Sequence, residues 1–125
     1  MITLEDICRI GPAYAKNGKR DGRKLAAAVE LFRGPEAPSL EDLVAVVRGI
    51  DGCVDGWMQW SDDKQWSPAW YFSDYGESMY VVGLADGADS HEHVFEDAHV
   101  ACANFIVKDV EDYGRILDSR RGAGG

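Results

Sequence analysis

The sequence predicts an α+β fold: N-terminal helices, a four-stranded antiparallel meander sheet, and a C-terminal helix packed on that sheet. Three observations carry this. "TLED" at Thr3–Asp6 and "SLED" at Ser39–Asp42 both place a hydroxyl three residues ahead of a carboxylate, the signature of a capped helix start. After Gly49 the pattern changes to short aromatic and β-branched runs divided by turn residues. Beyond Phe95 the apolar residues return to helical spacing.

The first helix should start at Leu4 and weaken at Gly11-Pro12, because proline lacks a backbone donor and clashes with the preceding turn. A short helical piece continues through Tyr14. A second helix runs from Gly22 to Arg33, with Leu25, Val29 and Phe32 on one face, and Gly34-Pro35 ends it. A third runs from Leu40 to Arg48, with Leu40, Leu43, Val44 and Val47 on one stripe and Gly49 closing it.

Four strands are expected, at Gly56–Trp60, Ala69–Ser73, Ser78–Leu84 and His91–Phe95. "SDDKQWSP", "DYGE" and "ADGADS" have turn composition, and connections this short favour antiparallel neighbours. Met79, Val81 and Gly83 alternate with Tyr80, Val82 and Leu84, so both faces of the third strand are fairly apolar and it should be central. The last helix begins near Glu96 or Asp97. Ala98, Ala101, Cys102 and Phe105 form its stripe, which Val110, Tyr113 and Leu117 extend. Residues 1–119 are expected to form a single domain and residues 120–125 a disordered tail.

No apolar run reaches the roughly 20 residues of a membrane span. "MITLEDICRI" lacks the basic start and cleavage site of a signal peptide. Cys8, Cys53 and Cys102 are widely and unevenly spaced, which suits reduced thiols buried as small apolar groups in a cytoplasmic protein. The formal net charge is −9, unevenly spread. Residues 1–48 carry eight basic and seven acidic side chains; residues 49–112 carry two basic and fourteen acidic ones. Such a field repels nucleic acid and anionic membranes and attracts a basic partner. The basic cluster Lys16, Lys19, Arg20, Arg23 and Lys24 reads as a solvated helix start.

Trp57, Trp60, Trp66 and Trp70 all lie within fourteen residues, and Tyr71, Phe72 and Tyr75 follow. Strand phase divides them. Trp57, Trp70 and Phe72 belong to the core; Trp66, Tyr71 and Tyr75 lie outside or half outside. Exposed aromatics rimmed by carboxylates have the make-up of a protein-binding hot spot. Asp62, Asp63, Trp66, Asp74, Tyr75 and Glu77 are therefore the candidate partner-binding residues.

Other constellations are weaker. His91 and His93 share a strand face, and His99 follows on the helix with Cys102, so these could hold a divalent metal. His-x-His is common, and no second spaced pair completes a metal pattern; no cofactor is expected. No nucleophile-elbow sequence or phosphate loop occurs, and no catalytic residue stands out.

Trp70-Tyr71-Phe72, Tyr80-Val81-Val82 and "FEDAHVACANFI" at Phe95–Ile106 form a recurring order: an aromatic hairpin, a phenylalanine with acidic residues, then a helix with Ala-Cys and an aromatic. This order resembles small bacterial immunity proteins, the antitoxins of contact-dependent inhibition and related polymorphic toxin systems. The resemblance spans roughly residues 56–107 and not the helical first third. It implies a non-enzymatic inhibitor of one cognate toxin, which for this acidic chain would be basic. Two other functions stay open: an acidic phage-type inhibitor mimicking nucleic acid, and a small His-rich metal-binding enzyme using His91, His93 and His99.

Overall fold

The structure, a computed structural model, describes residues 2–63, 69–86 and 89–124. It is an α+β fold with six helices and one three-stranded antiparallel sheet among the described residues. Helices α1 (Leu4–Cys8) and α2 (Ile10–Asn17) are separated at Arg9. Thr3 caps α1 through a reciprocal capping box with Asp6. The break falls before Gly11-Pro12 and not at it. Pro12 sits in the first turn of α2, where a missing N–H leaves nothing unpaired. Helices α3 (Gly22–Arg33) and α4 (Leu40–Arg48) have the bounds that their apolar stripes indicate, with Asp21 and Ser39 as N-caps.

The expected strand at Gly56–Trp60 is a helix instead. Helix α5 (Cys53–Asp62) starts after Gly52, whose φ of 75° turns the chain into it. Cys53, Gly56, Trp57 and Trp60 form its buried stripe, at spacings that suit a helix and not a strand. The sheet accordingly has three strands where four were expected. They are β1 (Ala69–Asp74), β2 (Tyr80–Asp86) and β3 (Asp89–Phe95), in the order β1-β2-β3. The register pairs Phe72 with Val82 and Val82 with His93, which makes β2 central.

Helix α6 (Ala98–Gly124) covers one face of this sheet. Asp97 caps it, accepting from the amides of His99 at 2.8 Å and Val100 at 3.3 Å. Its helical backbone continues through Gly124, across the segment expected to be a loose tail. No described helix is long and apolar enough to cross a membrane.

The core lies where α5, α6 and the inner sheet face meet. Trp57 packs edge-on to Trp60 and to Phe105, and Phe105 stacks on Phe72 at 5.7 Å. Trp57, Trp60 and Phe72 are fully buried and Trp70 is half-buried against them. The two buried indoles are anchored: Trp57 Nε1 donates to the Cys8 carbonyl at 2.8 Å, and Trp60 Nε1 to Asp109 Oδ2 at 2.9 Å. Helices α2 and α5 approach closely because glycines face each other there. A Cβ on Gly11 would stand 2.6 Å from the Trp57 ring, and one on Gly56 would stand 2.5 Å from Pro12.

Candidate functional site

Strand alternation gives the sheet two unlike faces. Trp70, Phe72, Tyr80, Val82 and Phe95 point towards the helices. Tyr71, Ser73, Val81, Gly83, Glu92 and Val94 form the other face, where Val81 and Gly83 on the central strand are buried and Glu92 and Val94 on β3 are exposed.

On that open face the Tyr71 hydroxyl donates to Glu92 Oε1 at 2.9 Å. Gly83, which presents no side chain, lies between the two residues in the register. Burial pushes the Tyr71 phenol up to about 12, and the Glu92 carboxylate and Tyr75 add to it. Tyr71 thus stays a neutral donor over the whole physiological range.

The β1–β2 hairpin extends this face. The Tyr75 amide donates to the Met79 carbonyl at 2.9 Å, so these two residues continue the alternation of β1 and β2 beyond the strands. Asp74 Oδ1 accepts from the Gly76 amide at 2.7 Å and holds the turn. Gly76, Glu77 and Ser78 are all left-handed, with φ of 83°, 52° and 59°. Tyr75 is 60% exposed, Val94 60% and Met79 45%. These are three of the four large exposed hydrophobic side chains among the described residues, and all three lie on this face or its extension. Glu77 in the turn and Glu92 on this face are exposed too, while Asp74, paired with Tyr80, is exposed on the inner side of the hairpin.

The sequence-predicted site residues are split by the fold. Asp74, Tyr75 and Glu77 come together on the hairpin. Asp62 and Asp63 lie at the end of α5, and Asp63 reaches α2. Asp63 Oδ2 accepts from Tyr14 Oη and from Gln59 Nε2, both at 2.7 Å. These bonds, Gln59 first, hold the Asp63 carboxyl below its usual range. Asp63 therefore ties α5 to α2 while remaining exposed. Trp66 lies outside the described residues. Sequence reasoning missed Tyr71, Met79, Glu92 and Val94 as parts of one surface. The parity of Met79–Val81–Gly83 was a signal for it, but the two apolar faces were read only as the mark of a central strand, which β2 is.

The histidines do not converge. The exposed His93 ring stacks on Trp70 with centroids 6.3 Å apart, on the inner face. His99 Nδ1 lies 3.5 Å from Asp97 Oδ1 at the start of α6. The His91 side chain lies outside the described ones. Among the described residues, no group of three His, Cys, Asp or Glu side chains is placed to hold a metal ion.

Cys8, Cys53 and Cys102 are free and buried, and Cys53 Sγ donates to the Cys8 carbonyl at 3.5 Å. Burial pushes Cys8 up to about 12 and raises Cys102 as well, while the hydrogen bond from Cys102 draws Cys53 down. No thiol is presented to solvent. The open sheet face offers phenols, a thioether, aliphatic groups and carboxylates. Its chemistry is suited to burying apolar area and pairing with cations. Compared with protein-family models, with curated proteins and with solved structures, the chain matches none.

Proposed function

We propose that this protein is a non-enzymatic, cytoplasmic immunity protein that binds and neutralises a cognate basic toxin domain. The observation that carries the reading is the outer sheet face and its hairpin, with Tyr75, Met79 and Val94 exposed, Glu92 beside them and Asp74 and Glu77 at the hairpin turn. A tyrosine and a methionine surrounded by charge suit the anchors of a protein interface. The −12 balance of residues 49–112 would speed encounter with a basic partner. The sequence resemblance supplies the class of partner. Exposed apolar side chains on the hairpin and on β3 favour a protein partner over nucleic-acid mimicry, which would need carboxylates in phosphate-like rows.

The test is co-expression with the protein encoded next to it, followed by association kinetics. The association rate should fall steeply with added salt, and Tyr75→Ala with Met79→Ala should weaken binding by tenfold or more. An association rate indifferent to salt, or an unchanged affinity in the double variant, overturns the assignment.

A further inference from the structure

The two edges of the sheet are treated differently. On β1 the outward amides are occupied by helix side chains: Trp70 N–H donates to Asp112 Oδ2 at 3.0 Å, and Phe72 N–H to Ser61 Oγ at 2.8 Å. These bonds close β1 to a further strand. On β3 no described side chain hydrogen-bonds the backbone, and Glu92, His93 and Val94 are exposed in succession. β3 is an open edge.

A groove of about 320 Å³ runs beside that edge on the inner side, lined by Val82, His93, Phe95, Asn104 and Lys108. It exists because α6 is centred on β1 and β2. Phe105 stacks on Phe72, and Asp112 reaches the Trp70 amide, so β3 projects past the helix. Lys108 Nζ lies 5.0 Å from the centre of the Trp70 ring, whose stacking partner is His93. Among the described residues Lys108 makes no ion pair. In the acidic stretch 49–112 it is one of two cations, the other being Lys64.

We propose that β3 and this groove bind an extended peptide strand of another protein, which adds to the edge of β3 and brings an inward carboxylate to Lys108. An open strand beside a helix-walled groove supplies both parts of strand addition: backbone hydrogen bonds for affinity and a pocket for alternate side chains. The charges set the sequence sense. The inward side chain meets Lys108 and His93, so a carboxylate fits there. The outward side chain opposite Glu92 should be basic. A second copy of this chain fits less well, since each carries a net charge of −9. The site shares Glu92 with the partner surface proposed above, but its inner half, the groove with Lys108 and His93, lies on the opposite face and its test does not depend on that surface.

The probe is the blocked heptapeptide Val-Thr-Lys-Glu-Lys-Thr-Val, compared with the same peptide carrying glutamine at its centre. Binding is read from the backbone amide shifts of the full chain. The glutamate peptide should shift the β3 amides saturably and bind about threefold to fivefold more tightly than the glutamine peptide, the scale of one exposed ion pair. Lys108→Gln, half-buried at the groove and outside the core, should keep the fold by circular dichroism and erase that difference. The proposal is overturned if millimolar peptide leaves the β3 amides unshifted. It is equally overturned if both peptides bind alike to the unaltered chain, or if β3 is protected by concentration-dependent pairing of two copies of this chain.

Discussion

The backbone amide of Trp70 is satisfied by a carboxylate 42 residues away, Asp112 Oδ2 on α6, at 3.0 Å. Asp112 is 2% exposed and its other oxygen is held by Arg115. One side chain therefore docks the helix, closes the edge of β1 and keeps a backbone donor paired. Asp112→Ala should cost about 2–3 kcal/mol, since it leaves the Trp70 N–H without its acceptor. Asp112→Asn keeps an acceptor oxygen and should cost less. Urea denaturation of both variants measures this, and equal losses would contradict it.

The crossing of α2 and α5 should be intolerant of a single methyl group. A Cβ on Gly11 would meet three Trp57 ring atoms at 2.6–2.9 Å, and one on Gly56 would meet the Pro12 backbone at 2.5 Å. Gly11→Ala and Gly56→Ala should each destabilise by about 1–3 kcal/mol through overpacking. Gly49→Ala is the control. Gly49 has an ordinary φ of −84°, and the nearest atom to its Cβ would be 3.5 Å away. It should fall within about 0.5 kcal/mol of the unaltered chain.

Tyr71 should titrate late. Its phenol is pushed up to about 12, above the usual value near 10. In a titration followed by tyrosinate absorbance, Tyr71→Phe should remove a transition near pH 12. Glu92→Ala should move that transition down, since the acceptor carboxylate opposes ionisation. The unfolded chain ionises at this position first, so the contribution to stability is full below about pH 10 and is lost as pH rises through about 12.

Acid should loosen the helix starts. Asp6 is held below 3.8 by hydrogen bonds to Thr3. At Asp97 burial works the other way, but Arg48 and the amides of His99 and Val100 outweigh it and the carboxyl is again lowered. A depressed folded pKa means stability that is present above the unfolded value and lost as pH falls through the folded one. Thermal midpoints should therefore drop as pH falls below about 4. The drop should be smaller in Asp97→Asn, which is already less stable at neutral pH.

The hairpin carries strain that glycine would relieve. Glu77 and Ser78 hold φ of 52° and 59°, a region that costs an L-residue roughly 1–2 kcal/mol. Glycine also loses more chain entropy on folding, so Ser78→Gly should gain about 0.5–1 kcal/mol. Calorimetry of that single variant decides it, and a loss of stability would show that the conformation is not strained.

Much of the helical architecture was readable from local chemistry. α3 and α4 end where their stripes and glycines indicate, and both capping signatures work as caps, because these signals act within one turn of chain. The phase of β1 was readable too: Trp70 and Phe72 face the helices and Tyr71 faces away. Trp57 and Trp60 were legible as aromatic but not as helical. Within "GWMQW" alone five residues fit either period, and Cys53, three residues ahead of Gly56, is needed to complete the helical spacing. Of the candidate partner-binding group, the hairpin half was legible because turn composition implies exposure. Glu92 and Val94 were not, since they join Tyr71 and Tyr75 only through the pairing of β3 on β2.

The sequence by itself determined the class of fold, the starts of α1, α3 and α4, the phase of β1 and the acidic balance of residues 49–112. Each depends on neighbours along the chain or on summed composition. Tertiary structure decided what required distant groups to meet. Gly11 against Trp57 and Gly56 against Pro12 set α5 beside α2 as a helix. Asp112 and Ser61 closed one edge of the sheet and left the other open. The centring of α6 on β1 and β2 opened the groove beside β3. These choices depend on which surfaces pack most closely, a matter of volume and hydrogen-bond geometry that no local window contains.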